Sequence, residues 1–179
     1  MTPDSPVSVT RVSATGVLTD LVAEIPDVWV GITRERLREI LPRHTRRHGF
    51  RFLAAREGDG MLAGITYGYL GGPGQWWHDL VSEAMSDEQR EYWLAPGHFE
   101  FVELHVRPSC RRRGIGRRLH DMLLEGLDSR TAVLSTQVDN TAAIALYEGR
   151  GWRKILEPIV FGPDYPPYRI MGKELVSAP

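Results

Sequence analysis

A chain of 179 residues, 42% hydrophobic and 25% charged, is long enough to bury a core as one domain without metal or disulfide support, and its composition excludes a disordered or membrane-embedded protein. The formal net charge of -1 excludes a surface built throughout for nucleic acid, and a single cysteine, Cys110, excludes an internal disulfide and a multi-cysteine zinc site. Met1 to Val12 lack the basic start and apolar run of a secretory leader, and no later stretch approaches about 18 uninterrupted apolar residues, so a cytoplasmic protein with no membrane partner is expected.

Val7 to Val12 reads as a first strand. From Thr33 a helical pattern with Leu37, Ile40 and Leu41 runs toward His48, and Pro42 is expected to kink or split it. Phe50 to Arg56 and Met61 to Leu70 read as a hairpin around the turn Glu57-Gly58-Asp59-Gly60. Gly71-Gly72-Pro73-Gly74 then breaks the sheet, and Gln75 to Leu94 has helix-compatible composition, an aromatic-rich insertion spanning about 71–97. His98 to Val106 alternates as a strand, with Glu100, Val102, Leu104 and Val106 on one face and Phe99, Phe101, Glu103 and His105 on the other. After Pro108, Ile115, Leu119, Met122, Leu123 and Leu127 recur at helical spacing. Ala132 to Val138 is a strand, and Asn140 caps a helix through Ala143, Ile144, Leu146 and Tyr147 that closes at Gly151. Trp152 to Phe161 and Tyr168 to Leu175 finish the chain as strands. This order gives a mixed α/β sheet with at least one parallel pair.

The local charge is less even than the total. Arg107, Arg111, Arg112, Arg113, Arg117 and Arg118 fall in one short segment, a positive site suited to a small polyanion. A strand that ends before Pro108, a short loop with Gly114 and Gly116, and a helix opening at once form a physical recipe for phosphate binding. Amides at a helix N-terminus lack partners, the dipole favours negative charge, glycine lets backbone approach the ligand, and arginines add charge-assisted bonds. No Gly-Lys-Ser/Thr follows, and the three-glycine dinucleotide fingerprint is absent, which argues against nucleotide hydrolysis and nicotinamide binding.

Leu104-His105-Val106-Arg107-Pro108 followed by Arg111-x-x-Gly114-x-Gly116 resembles the acetyl-CoA signature of the GNAT superfamily, Arg/Gln-x-x-Gly-x-Gly/Ala. Asn140-Thr141-Ala142-Ala143-Ile144-Ala145-Leu146-Tyr147-Glu148 with Gly151-Trp152 is similar to that family's second signature. The resemblance is close over about residues 99–153, the expected cofactor-binding core of a single N-acetyltransferase domain over 1–179. It implies a central mixed β-sheet flanked by helices, with parallel strands splayed at the cofactor site, and direct acetyl transfer from acetyl-CoA to a primary amine. Leu104, His105 and Val106 would line the pantetheine arm through strand backbone. Arg111, Arg112, Arg113, Gly114, Ile115 and Gly116 would hold the pyrophosphate, Asn140 would reach the pantetheine, and Tyr147 would sit beside the sulfur and protonate the leaving thiolate. Arg112 stands where the family often has glycine, and Gly149 in the last helical turn is unusual.

Two carboxylates on the strand before the loop are candidate bases. Glu100 is favoured and Glu103 is the alternative, because pairing with a cation is an equally good use of it. On pattern alone Tyr147 reads as a core aromatic and Asn140 as a helix cap; the signature adds the functional roles. Trp76, Trp77 and Trp93 read as packing, with substrate contact as the competing role and one wall of the acceptor site as the expectation for residues 75–95. Neither His98 nor His105 has a metal-ligand partner at useful spacing, so no metal is expected. The partners expected are acetyl-CoA and an amine, without nucleic acid; the acceptor's identity is open, as is a homodimer.

Overall fold

The computed structural model describes residues 7–175; Met1 to Pro6 of the stretch read for a leader lie outside the described residues. Its strands are hydrogen-bonded in the order β1-β2-β3-β4-β5-β7-β6, a mixed sheet with helices between the strands in sequence. Two compact units divide the chain: one runs to Tyr69 and resumes over Val102–Glu125, and the other comprises Leu70–Phe101 and the chain from Gly126 on.

In the first unit, β1 (Ser8–Arg11) pairs antiparallel with β2 (Arg51–Arg56), and β2 with β3 (Leu62–Leu70). The hairpin turn closes because Gly60 takes φ +88°, a left-handed value that glycine adopts without penalty, while Asp59 Oδ1 accepts from the Met61 amide at 2.9 Å. After a single α-turn, α1 (Ala14–Gly16), and a wider turn over Val17–Leu21, helix α2 spans Arg34–His44, with Thr33 Oγ1 capping the Arg36 amide at 3.1 Å. Pro42 does not split it. The proline falls in the last turn, and the helix stops two residues later where the Thr45 amide closes on the Leu41 carbonyl at 2.8 Å. Leu37 and Leu41 pack with Phe52, Ile65 and Tyr67 in a core where Phe52 and Tyr67 stack at 5.6 Å. All four central residues of β2 are buried, so its pattern is a continuous apolar run rather than an alternation.

The second unit contains the insertion, which is two helices rather than one: α3 (Trp76–Ala84) and α4 (Asp87–Trp93). Ser86 divides them because its hydroxyl caps the Gln89 amide while the Gln89 side chain returns to the Ser86 amide, a reciprocal capping box. Trp93 and Leu94 pack with Val81, Met85, Val133 and Ile170. Strand β5 (Thr131–Gln137) pairs antiparallel with β7 (Tyr168–Glu174) along its whole length, and β7 with β6 (Arg153–Ile159). Strand β4 (Phe99–Val106) pairs parallel with β5 at Phe99↔Ala132 and Glu100↔Val133. That ladder is the parallel pair that the order of elements implied.

Candidate active site

The arginine loop leaves β4 at Val106 and makes a short 3-10 turn over Pro108–Cys110 before helix α5 (Ile115–Leu124). Its N-cap is Gly114 at φ +79°, ψ −1°, with no side chain to cap the helix. The first closed turn is Arg118 N–H to the Gly114 carbonyl at 3.0 Å, so the amides of Ile115, Gly116 and Arg117 have no partner within the helix. Three donors and the positive end of the helix dipole therefore coincide. Arg112 also takes a left-handed φ, +65°. A Cβ built at Gly114 would meet nothing within 4 Å, which makes the backbone angle, rather than crowding, the reason for glycine there.

The arginines divide into braces and exposed charge. Arg107 donates through Nε to the Leu62 carbonyl at 2.8 Å and reaches Asp27 at 3.3 Å; Arg111 Nε donates to the Val106 carbonyl at 3.1 Å. Arg113 forms a two-pronged pair with Glu57, which is buried at the hairpin turn, with contacts of 2.6 and 3.3 Å. Arg118 donates to the Val7 carbonyl at 2.7 Å. These side chains fix the loop's backbone, and the positive field they leave is added to the amide donors.

Leu104, His105 and Val106 lie half-buried at the end of β4. His105 stacks on Trp29, centroids 4.5 Å apart, and its Nε2 lies 2.8 Å from Glu103 Oε2, each side chain about a quarter exposed. This carboxylate–imidazole pair joins residues two apart on one strand face. The alternation put Glu103 and His105 together, and the pairing itself was the step missed. Glu103 also lies close enough to Tyr67 for its negative charge to reinforce burial in raising that phenol well above its ordinary pKa.

In the second unit, Asn140 caps helix α6 (Thr141–Glu148), its Oδ1 accepting from the Ala143 amide at 3.2 Å. Tyr147, 8% exposed, packs edge-on against Phe101 at 5.9 Å and Trp152 at 5.7 Å. Cys110 is buried, with the Ser109 hydroxyl 3.8 Å from its sulfur. Trp93 is buried, and Trp77 is half-buried with its indole N–H donating to Ser135 Oγ at 3.1 Å; both serve packing of the unit, while Trp76 is 56% exposed beside Phe161 and Tyr165.

Glu100 differs sharply from Glu103. It is 3% exposed, and its Oε1 lies 3.7 Å from His98 Nε2. His78 from α3 stacks beside His98 at 5.2 Å. Burial, with His98 beside it, pushes the His78 imidazole below its ordinary pKa, against a smaller upward pull from Glu100 and Asp79. Sequence spacing assigned His98 no ligand partner; the fold supplies two. His78 is twenty positions upstream on a separate helix, and no periodicity links it to β4.

The sequence model of the Acetyltransferase (GNAT) family matches residues 18–152. A GCN5-like protein acetyltransferase of Mycobacterium tuberculosis is 33% identical over 132 residues, which make up 68% of this chain and 63% of that protein. The chain thus spans less than two thirds of that curated relative's length. The ribosomal-protein-S18-alanine N-acetyltransferase of Escherichia coli is similar in structure with a TM-score of 0.65, at 16% identity and 97% coverage of both chains. A chain in the crystal structure of the NatC complex bound to Gag peptide and CoA matches with a TM-score of 0.66 at 14% identity, covering 95% of this chain and 99% of that one.

Proposed function

Because this chain belongs to the Acetyltransferase (GNAT) family, we propose that it transfers the acetyl group of acetyl-CoA to a primary amine by direct attack. The observation that carries the reading is the glycine-capped, left-handed entry to α5, which leaves three amide donors and a positive field where a pyrophosphate can sit. Acetyl-CoA supplies the activated thioester. Ile115 and Gly116 offer backbone N–H groups to its pyrophosphate, Arg112 adds exposed positive charge, and the backbone of Leu104, His105 and Val106 together with Asn140 serves the pantetheine arm.

Two protons must move. An amine arriving as ammonium must lose one, and the Glu103–His105 pair is assigned that task because both groups remain accessible and hydrogen-bonded to each other. Glu100, favoured from sequence to act directly or through water, is 3% exposed, so the more exposed Glu103 suits direct contact with an amine better. Tyr147 is assigned as the acid that protonates the departing thiolate. A covalent acetyl-enzyme is disfavoured, because Cys110 is buried beside the Ser109 hydroxyl. The domain proposal is one N-acetyltransferase unit of function with its core at about 99–153. The test is an acceptor screen of free amino acids, polyamines, peptide N-termini and lysine peptides with acetyl-CoA, read as CoA thiol release. Turnover with at least one amine class is expected, falling about 10²- to 10⁴-fold in Glu103→Gln. Tight acetyl-CoA binding with no turnover on any class would overturn the reading.

A further inference from the structure

The second unit contains a cluster that acetyl transfer does not use. His78 on α3, His98 immediately before β4 and Glu100 on β4 each bring one donor atom to a common point, all within 4.8 Å of one another. The residues are 6%, 2% and 3% exposed. His78 Nδ1, His98 Nε2 and Glu100 Oε1 are all buried without a hydrogen-bond partner. Leaving three such atoms unmatched inside a protein is costly, and the cost is greatest for the carboxylate.

The protonation pattern sharpens the point. His98 Nδ1 lies 3.0 Å from the Ala95 carbonyl, which can only accept, so Nδ1 carries the proton and a neutral ring presents the Nε2 lone pair. That lone pair faces Glu100 Oε1, also an acceptor, at 3.7 Å. Two acceptors held face to face need a donor or a cation between them. A second proton on His98 would serve that pair and leave His78 Nδ1 unmatched; one cation serves all three. The carbonyl behind His98 is also the outer partner that orients a metal-bound imidazole.

Space for an ion comes from the glycine turn. The Gly71 amide donates to the His98 carbonyl at 3.0 Å, bringing its backbone against the cluster. A Cβ at residue 71 would land on His98 Nε2 and lie 2.5 Å from Glu100 Oε1. Two imidazoles and one carboxylate suit a zinc-class divalent ion, with bonds of about 2.0–2.2 Å and an open position for water. The 3.7 Å separation lets one ion touch both His98 and Glu100. From the 4.8 Å limit, the widest separation would close by about 1.4 Å to reach the roughly 3.4 Å between ligands of a tetrahedral ion.

We propose that His78, His98 and Glu100 form a binding site for one Zn²⁺-class cation that ties α3 to the start of β4. The site stands apart from the acetyl-transfer reading and is tested without it. Untagged protein is stripped with a chelator, dialysed and titrated with ZnCl2, with MgCl2 as the control. Binding is followed by calorimetry, and bound metal is counted after gel filtration. One zinc per chain and a raised melting temperature are expected, with no response to magnesium. Glu100→Gln, nearly isosteric, should weaken zinc binding by more than about a hundred-fold, beyond the loss typical of an outer-shell change. His78→Gln provides the same test on a helix if the strand variant fails to fold. Gly71→Ala, which keeps all three donors, should also block uptake. Cobalt substituted for zinc should give a visible absorption band that is lost in Glu100→Gln. Failure of the stripped wild-type chain to take up zinc, or unchanged stoichiometry and affinity in folded Glu100→Gln and His78→Gln variants, overturns the site.

Discussion

Gly114→Asp separates what the loop does for the fold from what it does for a ligand. The residue holds φ +79° and caps α5 through backbone alone. A side chain there costs about 1 kcal/mol of left-handed strain, the range for a single residue with a Cβ. Nothing lies within 4 Å of the built Cβ, so the unliganded chain accommodates the aspartate. The larger penalty falls on binding. A carboxylate about 5 Å from a doubly charged pyrophosphate, at an effective dielectric of about 20–40 and partly screened by salt, costs about 2–4 kcal/mol. That is roughly a thirty- to thousand-fold loss of CoA affinity. Gly60→Asp is the matched control: it also has a left-handed φ, +88°, and open space around its Cβ, but lies at the β2–β3 turn. Thermal melts should show similar small losses for both variants, while calorimetry with CoA should show loss only for Gly114→Asp, diminishing as salt is raised. Wild-type CoA affinity in folded Gly114→Asp, or an equal loss in Gly60→Asp, would refute an anion site at the start of α5.

Tyr147→Phe keeps the ring packed against Phe101 and Trp152 and removes only the hydroxyl; kcat should fall about 10²- to 10⁴-fold with KM for acetyl-CoA little changed, and normal turnover would remove Tyr147 from the chemistry. Trp93→Ala should act on stability, costing about 3–5 kcal/mol in urea melts, because the ring fills the space over Gly172, where a Cβ would lie 2.5 Å from it. A selective rise in the acceptor's KM with unchanged stability would instead make Trp93 a substrate wall. His44 is held down to about 4, first by burial and then by Arg47, Arg43 and Arg36. The unfolded imidazole binds its proton below about 6.5 and the folded one only near 4, so stability should fall as pH drops through that window, by up to about 3 kcal/mol. His44→Gln should remove that part of the slope, and an unchanged slope would show that His44 does not cause it.

Local chemistry carried the legible part of the fold. Hydrophobic periodicity together with Gly60, Asn140 and the glycines after Val106 placed most elements within a residue or two, because each signal acts over one turn or one strand face. Pro42 misled because the helix runs on past it only to His44, so the lost Pro42 N–H bond to the preceding turn falls at the helix's end and leaves one continuous element. The division of the insertion into two helices was not legible because Ser86 and Gln89 carry no apolar signal; their reciprocal cap restarts the helix without breaking its composition.

Side-chain partnership was legible only where two residues share an element. Glu103 and His105 lie on one face of one strand, so alternation already brought them together. Arg113 and Glu57 are joined instead by the return of the β2–β3 hairpin, which turns an arginine read as ligand-facing into a brace for the loop that presents amide donors. The same physics acts at Glu100. From alternation it is simply a carboxylate on a half-buried strand, whereas the packing of α3 and the missing Cβ at Gly71 bring two imidazoles beside it and bury all three side chains. A carboxylate that takes a proton directly from an incoming amine must be reachable, and Glu103 is the more exposed of the two. Burial therefore gives the two glutamates different surroundings although they stand three residues apart on the same strand, one among buried imidazoles and one at a part-exposed imidazole.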